Sequence, residues 1–312
     1  MIKHCWSLLL IFLINAHTFA QDFTWWNEIH DWDGSTHWSQ YMNQSAAYMG
    51  PNAIPVPEVK NGNIRPNKHF QLAIDAHFSK GDKTQNLFTK LSLPLYEDKV
   101  AFEISWVPYE IFKTDTVTRN LRASRGESGE GSSVGDLYFH THFQLVEDHK
   151  KLPDLLFSLN FKTTSGSNLK EARYTDTHGF WVDLSAGKTI ETKKAFKAIR
   201  PYAMAGFFVY QTLILDEFQN DSPLMGAGLE IHFAKNITLN NCIGGYYGHY
   251  NHGDRPFVFR SSVRTSNNAP INTNIQFQQG IHDYPYSSIR LGLDLSLNKR
   301  FWNQEKKQEL FN

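Results

Sequence analysis

From Lys68 onward the chain alternates apolar and other residues with a period of two, segment after segment. Phe70, Leu72, Ile74, Ala76 and Phe78 interleave with Gln71, Ala73, Asp75 and His77. Leu87, Thr89, Leu91, Leu93 and Leu95 oppose Lys90 and Ser92, and Val100, Phe102, Ile104 and Trp106 oppose Glu103 and Ser105. Such alternation sends successive side chains to opposite faces and predicts β-strands. It recurs over 137–145, 155–161, 180–186 and 289–297, and more weakly over 203–209, 227–233 and 237–243. This gives about ten strands, with twelve allowed. Residues 257–264 and 274–281 are either two more strands or a polar hairpin standing clear of the sheet. Ser261 and Gln279 on their outer faces favour the hairpin.

Connection lengths also alternate. Tight turns at Glu97-Asp98 and Lys235-Asn236, with short links near Asp148 and Thr192, contrast with long stretches over 113–133, 165–179 and after Tyr250. The brief link at 79–83 is the exception. Short turns at one end and long loops at the other are the habit of outer-membrane barrels. An even strand number places both termini in the periplasm.

The two faces differ chemically. One is rich in Leu and Phe and nearly free of charge. The other carries Asp75, His77, Lys90, Glu103, Asp136, His140, His142, Lys162, Asp183, Arg200, Glu230, His232, Arg290 and Asp294. A secreted β-sandwich also alternates, but mixed charges on nearly every strand suit a polar lumen, where opposite signs meet. Aromatics near strand ends, among them Tyr96, Trp106, Tyr109, Phe112, Trp181, Tyr246, Tyr247 and Trp302, are expected to form interfacial girdles. The predicted fold is all-β: a closed antiparallel transmembrane β-barrel over 67–302, followed by a periplasmic tail over 303–312.

Two N-terminal segments precede the barrel. Lys3 and His4, an apolar run from Cys5 to Ile14, and Thr18-Phe19-Ala20 predict a signal peptide over 1–20, cleaved near Ala20. Cys242 is then the one cysteine left, so no internal disulfide forms. Residues 21–66 hold four of the eight tryptophans (Trp25, Trp26, Trp32 and Trp38) together with Pro51, Pro55, Pro57 and Pro66. A short helix from His37, capped by Ser35 or Thr36, and then an extended path forced by prolines predict a periplasmic strap or an inserted plug.

Composition adds little and excludes one class. Lys plus Arg and Asp plus Glu each number 31, so no basic excess is available for nucleic acid. Aromatic content is 14% and mean hydropathy is −0.45, values shown equally by a soluble globule and by a wall with one oily and one wet face. No apolar run after residue 20 reaches the ~18 residues of a transmembrane helix.

Candidate chemistry is sparse. His140 and His142 share a strand face, a spacing that suits a metal or a hydrated His–carboxylate network with Asp75, His77, Glu230 and His232. The network is the simpler reading, and no cofactor is expected. Ser158 is placed to meet His140, which keeps open a hydrolase using inward His and carboxylates. Ala186-Gly187-Lys188-Thr189 lacks the first glycine of a phosphate-binding loop. Asp31-Trp32-Asp33-Gly34 lacks the acidic series of a Ca²⁺ loop and reads as a turn.

Val134-Gly135-Asp136-Leu137, opening a strand after a long loop, resembles the phenol meta-pathway type outer-membrane barrel family. Tyr48-Met49-Gly50-Pro51-Asn52-Ala53 with Pro55 and Pro57 resembles the leader of Bacteroidetes-type barrels. These resemblances imply a bacterial outer-membrane barrel and supply no functional residue. The expected role is a narrow channel or transporter for a small solute, with a closed structural or surface-binding barrel as the alternative. Its expected partners are outer-membrane lipid and the barrel-insertion machinery.

Overall fold

The structure, a computed structural model, describes residues 22–96, 99–192, 196–233, 236–265 and 270–297. The signal peptide, the turns at Glu97-Asp98 and Lys235, Trp302 and the C-terminal tail lie outside them. The chain divides into two compact units, up to Thr36 and from His37 onward.

The first unit holds helix α1 (Thr24–Ile29) and a turn. Asp22 accepts hydrogen bonds from the Thr24 amide (2.9 Å) and hydroxyl (2.6 Å). Asp33 accepts from the Ser35 and Thr36 amides at 2.9 and 2.7 Å and from the Thr36 hydroxyl. The Thr36 hydroxyl and these amides hold the Asp33 carboxyl at about 2. The motif at 31–34 is therefore an Asx-type turn whose carboxylate is already satisfied locally.

The second unit is a ring of twelve antiparallel strands: β1 (His69–Ser79), β2 (Asp82–Leu95), β3 (Val100–Thr114), β4 (Leu137–Val146), β5 (Asp154–Lys162), β6 (Gly179–Gly187), β7 (Phe196–Gln211), β8 (Gln219–Phe233), β9 (Ile237–Tyr246), β10 (Phe257–Thr265), β11 (Ile271–His282) and β12 (Ser287–Ser296). Each pairs with its sequence neighbours, and β1 pairs with β12 from His69↔Ser296 to Phe78↔Ser287. The ring thus closes with no free edge. Two short strands, Glu130–Ser133 and Ile190–Glu191, extend the pairing on β3 and β7.

Twelve strands is the higher of the two counts the sequence allowed. The polar hairpin is part of the wall, because β9 and β12 would otherwise leave two long unpaired edges. Its outward Phe259, Val263, Ile275, Phe277 and Ile281 are exposed, and Ser261 stands beside Phe277, so the outer face stays apolar. Around the ring the outward residues form an oily belt. Ile74, Leu291 and Ile275 lie side by side at 64%, 57% and 57% exposure. Contiguous apolar surface of this kind is at home in lipid.

Residues 37–66 run along the inward side chains of the ring. The expected helix is a single 3₁₀ turn (Trp38–Tyr41), and its cap is His37, whose ring Nδ1 accepts from the Ser39 amide. From His37 to Gly50 the segment packs among the long loops. Asn43 donates to the Leu121 carbonyl (2.6 Å), Ala47 to Gly253 (3.0 Å) and Gly50 to Ala172 (2.8 Å). By Gly62 it has reached the short-turn end. There Gly62 takes a left-handed φ of +89°, and a Cβ would lie 2.7 Å from the Gly187 amide nitrogen. The chain therefore traverses the barrel once before β1 begins.

With the long loops outside, His37 belongs to the outer face. A His37→Cys variant should react with a membrane-impermeant maleimide on intact cells. Cys242 is buried and stays silent. Labelling only after lysis would reverse this orientation.

Candidate functional site: a lumen closed by loops and an inserted segment

The strand pleat turns the polar residues of the wall inward, and the segment Pro51–Arg65 binds them on almost every side. Asn52 donates to Glu110 (2.8 Å) and Asn86 (3.0 Å). Arg260 donates to the Val56 and Pro57 carbonyls at 2.7 and 3.0 Å. Lys60 pairs with Asp183, and Asn61 donates to Glu230 at 3.1 Å. Gln144 donates to the Gly62 carbonyl and accepts from the Ile64 amide, both at 2.8 Å. Prolines at 51, 55 and 57 keep this path extended and remove backbone donors that the interior would otherwise have to satisfy.

The loop-end half of the lumen is an apolar core. Met42, Met49, Ala53 and Ile54 of the segment pack with wall residues including Phe208, Tyr246, Val258 and Tyr286, all nearly or fully buried. Over this core sits a buried charge cluster brought in by two loops. Arg122 pairs with Asp82 at 2.6 Å. Arg173 pairs with Asp82 and Glu110, both at 2.8 Å, and donates to the Thr84 hydroxyl at 2.7 Å. Tyr286 donates to Asp82 (2.9 Å) and Tyr174 to Glu110 (2.9 Å). Two arginines and two carboxylates balance, with every one of them at most 2% exposed. Burial, with Glu110 beside it, pushes the Tyr174 phenol well above its ordinary range, so it remains a donor.

Glu110 faces inward because of a bulge. Leu87 pairs with Tyr109 while Thr89 pairs with Trp106, so Val107-Pro108 oppose Phe88 alone. The extra residue reverses the face of everything beyond it. Phe112, expected in a girdle, is consequently buried inside, with the Arg173 guanidinium 4.7 Å above its ring.

Below the core two cavities flank the segment, of about 210 and 200 Å³. They share Glu58, Lys60, Lys90, Arg260, Gln276 and Arg290 in their walls. The first reaches the short-turn end at Arg65 and His69; the second rises to Asp136 and Tyr174, at the underside of the loop cluster.

The inward residues named from sequence all lie in this lumen, in paired sets. Asp75 and Arg290 form a two-point pair at 2.6 and 2.8 Å, and His77 bridges Ser288 and Asn86. Asp136 pairs with Lys162 at 2.8 Å. His140 lies between Ser105 (3.2 Å) and Asn160 (3.0 Å). Glu230 meets Arg264 at 3.1 Å and His232 at 3.7 Å, and Asp294 meets Arg65 at 3.8 Å. Asp183 also accepts from Asn160 at 3.0 Å. Ser158 meets His142 (2.9 Å) rather than His140, and His142 in turn reaches Glu103 at 3.4 Å. Ser158 is fully buried. Among the described residues, no three His, Cys, Asp or Glu side chains are placed to hold a metal.

The girdle residues divide. Tyr96 is 82% exposed, and Tyr247 is half-exposed under the Arg255 guanidinium. Trp106 is partly buried, its indole donating to the Gly135 carbonyl at 3.0 Å. Trp181 and Tyr246 point inward and are buried, in the aromatic cluster around Phe208. Their pleat positions, between Phe180 and Val182 and at the top of β9, put them on the lumen face.

Sequence reading missed the cluster of Asp82, Glu110, Arg122 and Arg173, the segment residues Glu58, Lys60 and Arg65, and the hairpin cations Arg260 and Arg264. Pro108 inside an alternating run was the available signal of a bulge. The loop arginines carried none.

Closed, oily outside and charged within, the second unit has the fold of outer-membrane β-barrels. No protein-family model and no curated protein sequence matches the chain. Among solved structures it is similar to the KdgM porin (7% identity, 73% of this chain and 99% of the other, TM-score 0.43). It is also similar to an outer-membrane channel of Pseudomonas putida F1 (13%, 77% and 98%, 0.47) and to the NanC porin (12%, 72% and 100%, 0.45).

Proposed function

We propose that this chain is an integral outer-membrane barrel that passes a small polar solute along its lumen, and that the structure is its closed state. The barrel-insertion machinery would place it and lipid would surround the belt. One observation carries the reading: the two cavities share walls and run from the short-turn end up to the loop cluster, and among the described residues the rest is filled by the loops, the N-terminal segment and the inward aromatics packed against it. Those blocking elements are held by hydrogen bonds and ion pairs, which water can replace one at a time, and by an apolar core confined to the outer half.

That same apolar core favours a second reading, a permanently closed barrel acting through its loops. Planar-bilayer recording separates the two. The wild type is expected to show brief, small openings. Asp82→Asn removes the carboxylate shared by Arg122 and Arg173 while keeping its shape, and should raise the open fraction several-fold. If both forms are silent although heat-modifiable on gels, the closed barrel stands and the channel falls.

A further inference from the structure

The two cavities meet at one cluster of charges. Lys90 on β2, Arg260 on β10 and Arg290 on β12 line both, and so does Glu58 of the inserted segment. Each Glu58 carboxylate oxygen reaches one wall cation: Lys90 Nζ at 3.3 Å and an Arg290 guanidinium nitrogen at 3.9 Å. Charge-assisted hydrogen bonds ordinarily close to ~2.7–2.9 Å, so both contacts are loose. The Glu58 side chain is 56% exposed, whereas Asp75, which holds Arg290 at 2.6 Å, is buried. Lys90 keeps 19% of its side chain open to the cavities. Among the described residues Lys90 has no other carboxylate at ion-pair distance, and Arg260 has none. Arg260 is buried and donates to neutral oxygens of Val56, Pro57 and Gln278. Glu103, also on the lower cavity, is engaged by Ser92 and by His142 at 3.4 Å. Three cations therefore face two carboxylates, Asp75 and Glu58, and one positive charge is left over. Charge held out of bulk water without a counter-charge is costly.

We propose that this cluster binds a small dianionic oxyanion, with the charge and size of sulfate, and that Glu58 is its built-in competitor. A dianion in place of the Glu58 carboxylate balances Lys90, Arg260 and Arg290 together with Asp75. A monoanion leaves the same charge over as Glu58 does. The three cations belong to strands of the wall, whereas Glu58 belongs to irregular chain, so the exchange moves one side chain and leaves the wall intact. The lower cavity leads to the cluster from the short-turn end, past Arg65 and His69. Binding needs no conduction; that the dianion is also the solute rests on reading the lumen as a solute path.

Calorimetric titration of the detergent-solubilised full chain with sulfate, at constant ionic strength in chloride, tests it. Glu58→Gln removes the competing charge and keeps the shape, and should tighten sulfate binding at least fivefold over the wild type. Lys90→Met keeps most of the stem and deletes the charge, and should weaken it at least tenfold. Acetate should bind at least tenfold more weakly than sulfate. Both variants are expected to stay heat-modifiable on gels, since each alters one loose contact. A Glu58 that served only to hold the segment would give no tightening when replaced. No saturable sulfate binding in either the wild type or Glu58→Gln, a Glu58→Gln no tighter than the wild type, full affinity in Lys90→Met, or acetate binding as tightly as sulfate overturns the site. A barrel that binds sulfate in this pattern but never conducts keeps the site and loses the channel; one that conducts and ignores sulfate does the reverse.

Discussion

Arg173→Ala should destabilise the barrel by about 3–5 kcal/mol, the usual consequence of leaving buried charges without their partner. The Arg173 guanidinium is wholly buried and holds both Asp82 and Glu110, each itself 0% exposed. Arg122 still neutralises Asp82, so the larger loss falls on Glu110, left with Asn52 and Tyr174 as neutral donors. Urea unfolding in detergent measures the change. Limited proteolysis gives a second readout, because the 163–178 loop is tied down through this side chain and should become cleavable. Adding Glu110→Gln to Arg173→Ala should recover part of the loss. A double variant no more stable than the single one would show that charge is not what holds this cluster together.

Leu291→Arg tests the wall itself. Leu291 stands near the middle of β12, 57% exposed, between Ile74 and Ile275. An arginine on the lipid face near the midplane costs about 2–4 kcal/mol in a barrel of this kind, falling toward zero at the interfaces. The expected result is a lower unfolding midpoint in lipid vesicles and less heat-modifiable protein. Arg at Tyr96, 82% exposed at a strand end, should be close to neutral. Equal effects at both positions would deny the oily belt its lipid.

The wall was legible in the sequence because a period of two needs no tertiary information: Ile74 faces out and Asp75 faces in whatever stands beside them. Pairing across the seam follows, and so does the set of inward charges. The hairpin at 257–282 was harder to read, because its outward Ser261 borrows its apolar surroundings from Phe277 on the next strand, a neighbour that local patterning cannot see. Face assignment failed at Phe112, where one inserted residue at Val107-Pro108 exchanged inside for outside. The least legible parts were the contacts made at long range by irregular chain. Arg122 and Arg173 sit in loops whose composition says nothing of where they fold, and the path of Pro51–Arg65 is set by partners on nine different strands rather than by its own pattern. The candidate site was therefore readable as a ring of charges, but what fills that ring was not.

The threaded segment bears on how the molecule is assembled. It is joined directly to β1, and β1 meets β12, the last strand of the ring in chain order. The final joint of the cylinder is thus made by the very strand that tethers its contents. If Lys60 and Asn61 find Asp183 and Glu230 while the sheet is still an open trough, zipping β1 onto β12 sews the cargo in; drawing it through a finished tube would strip each of those charges of its partner on the way.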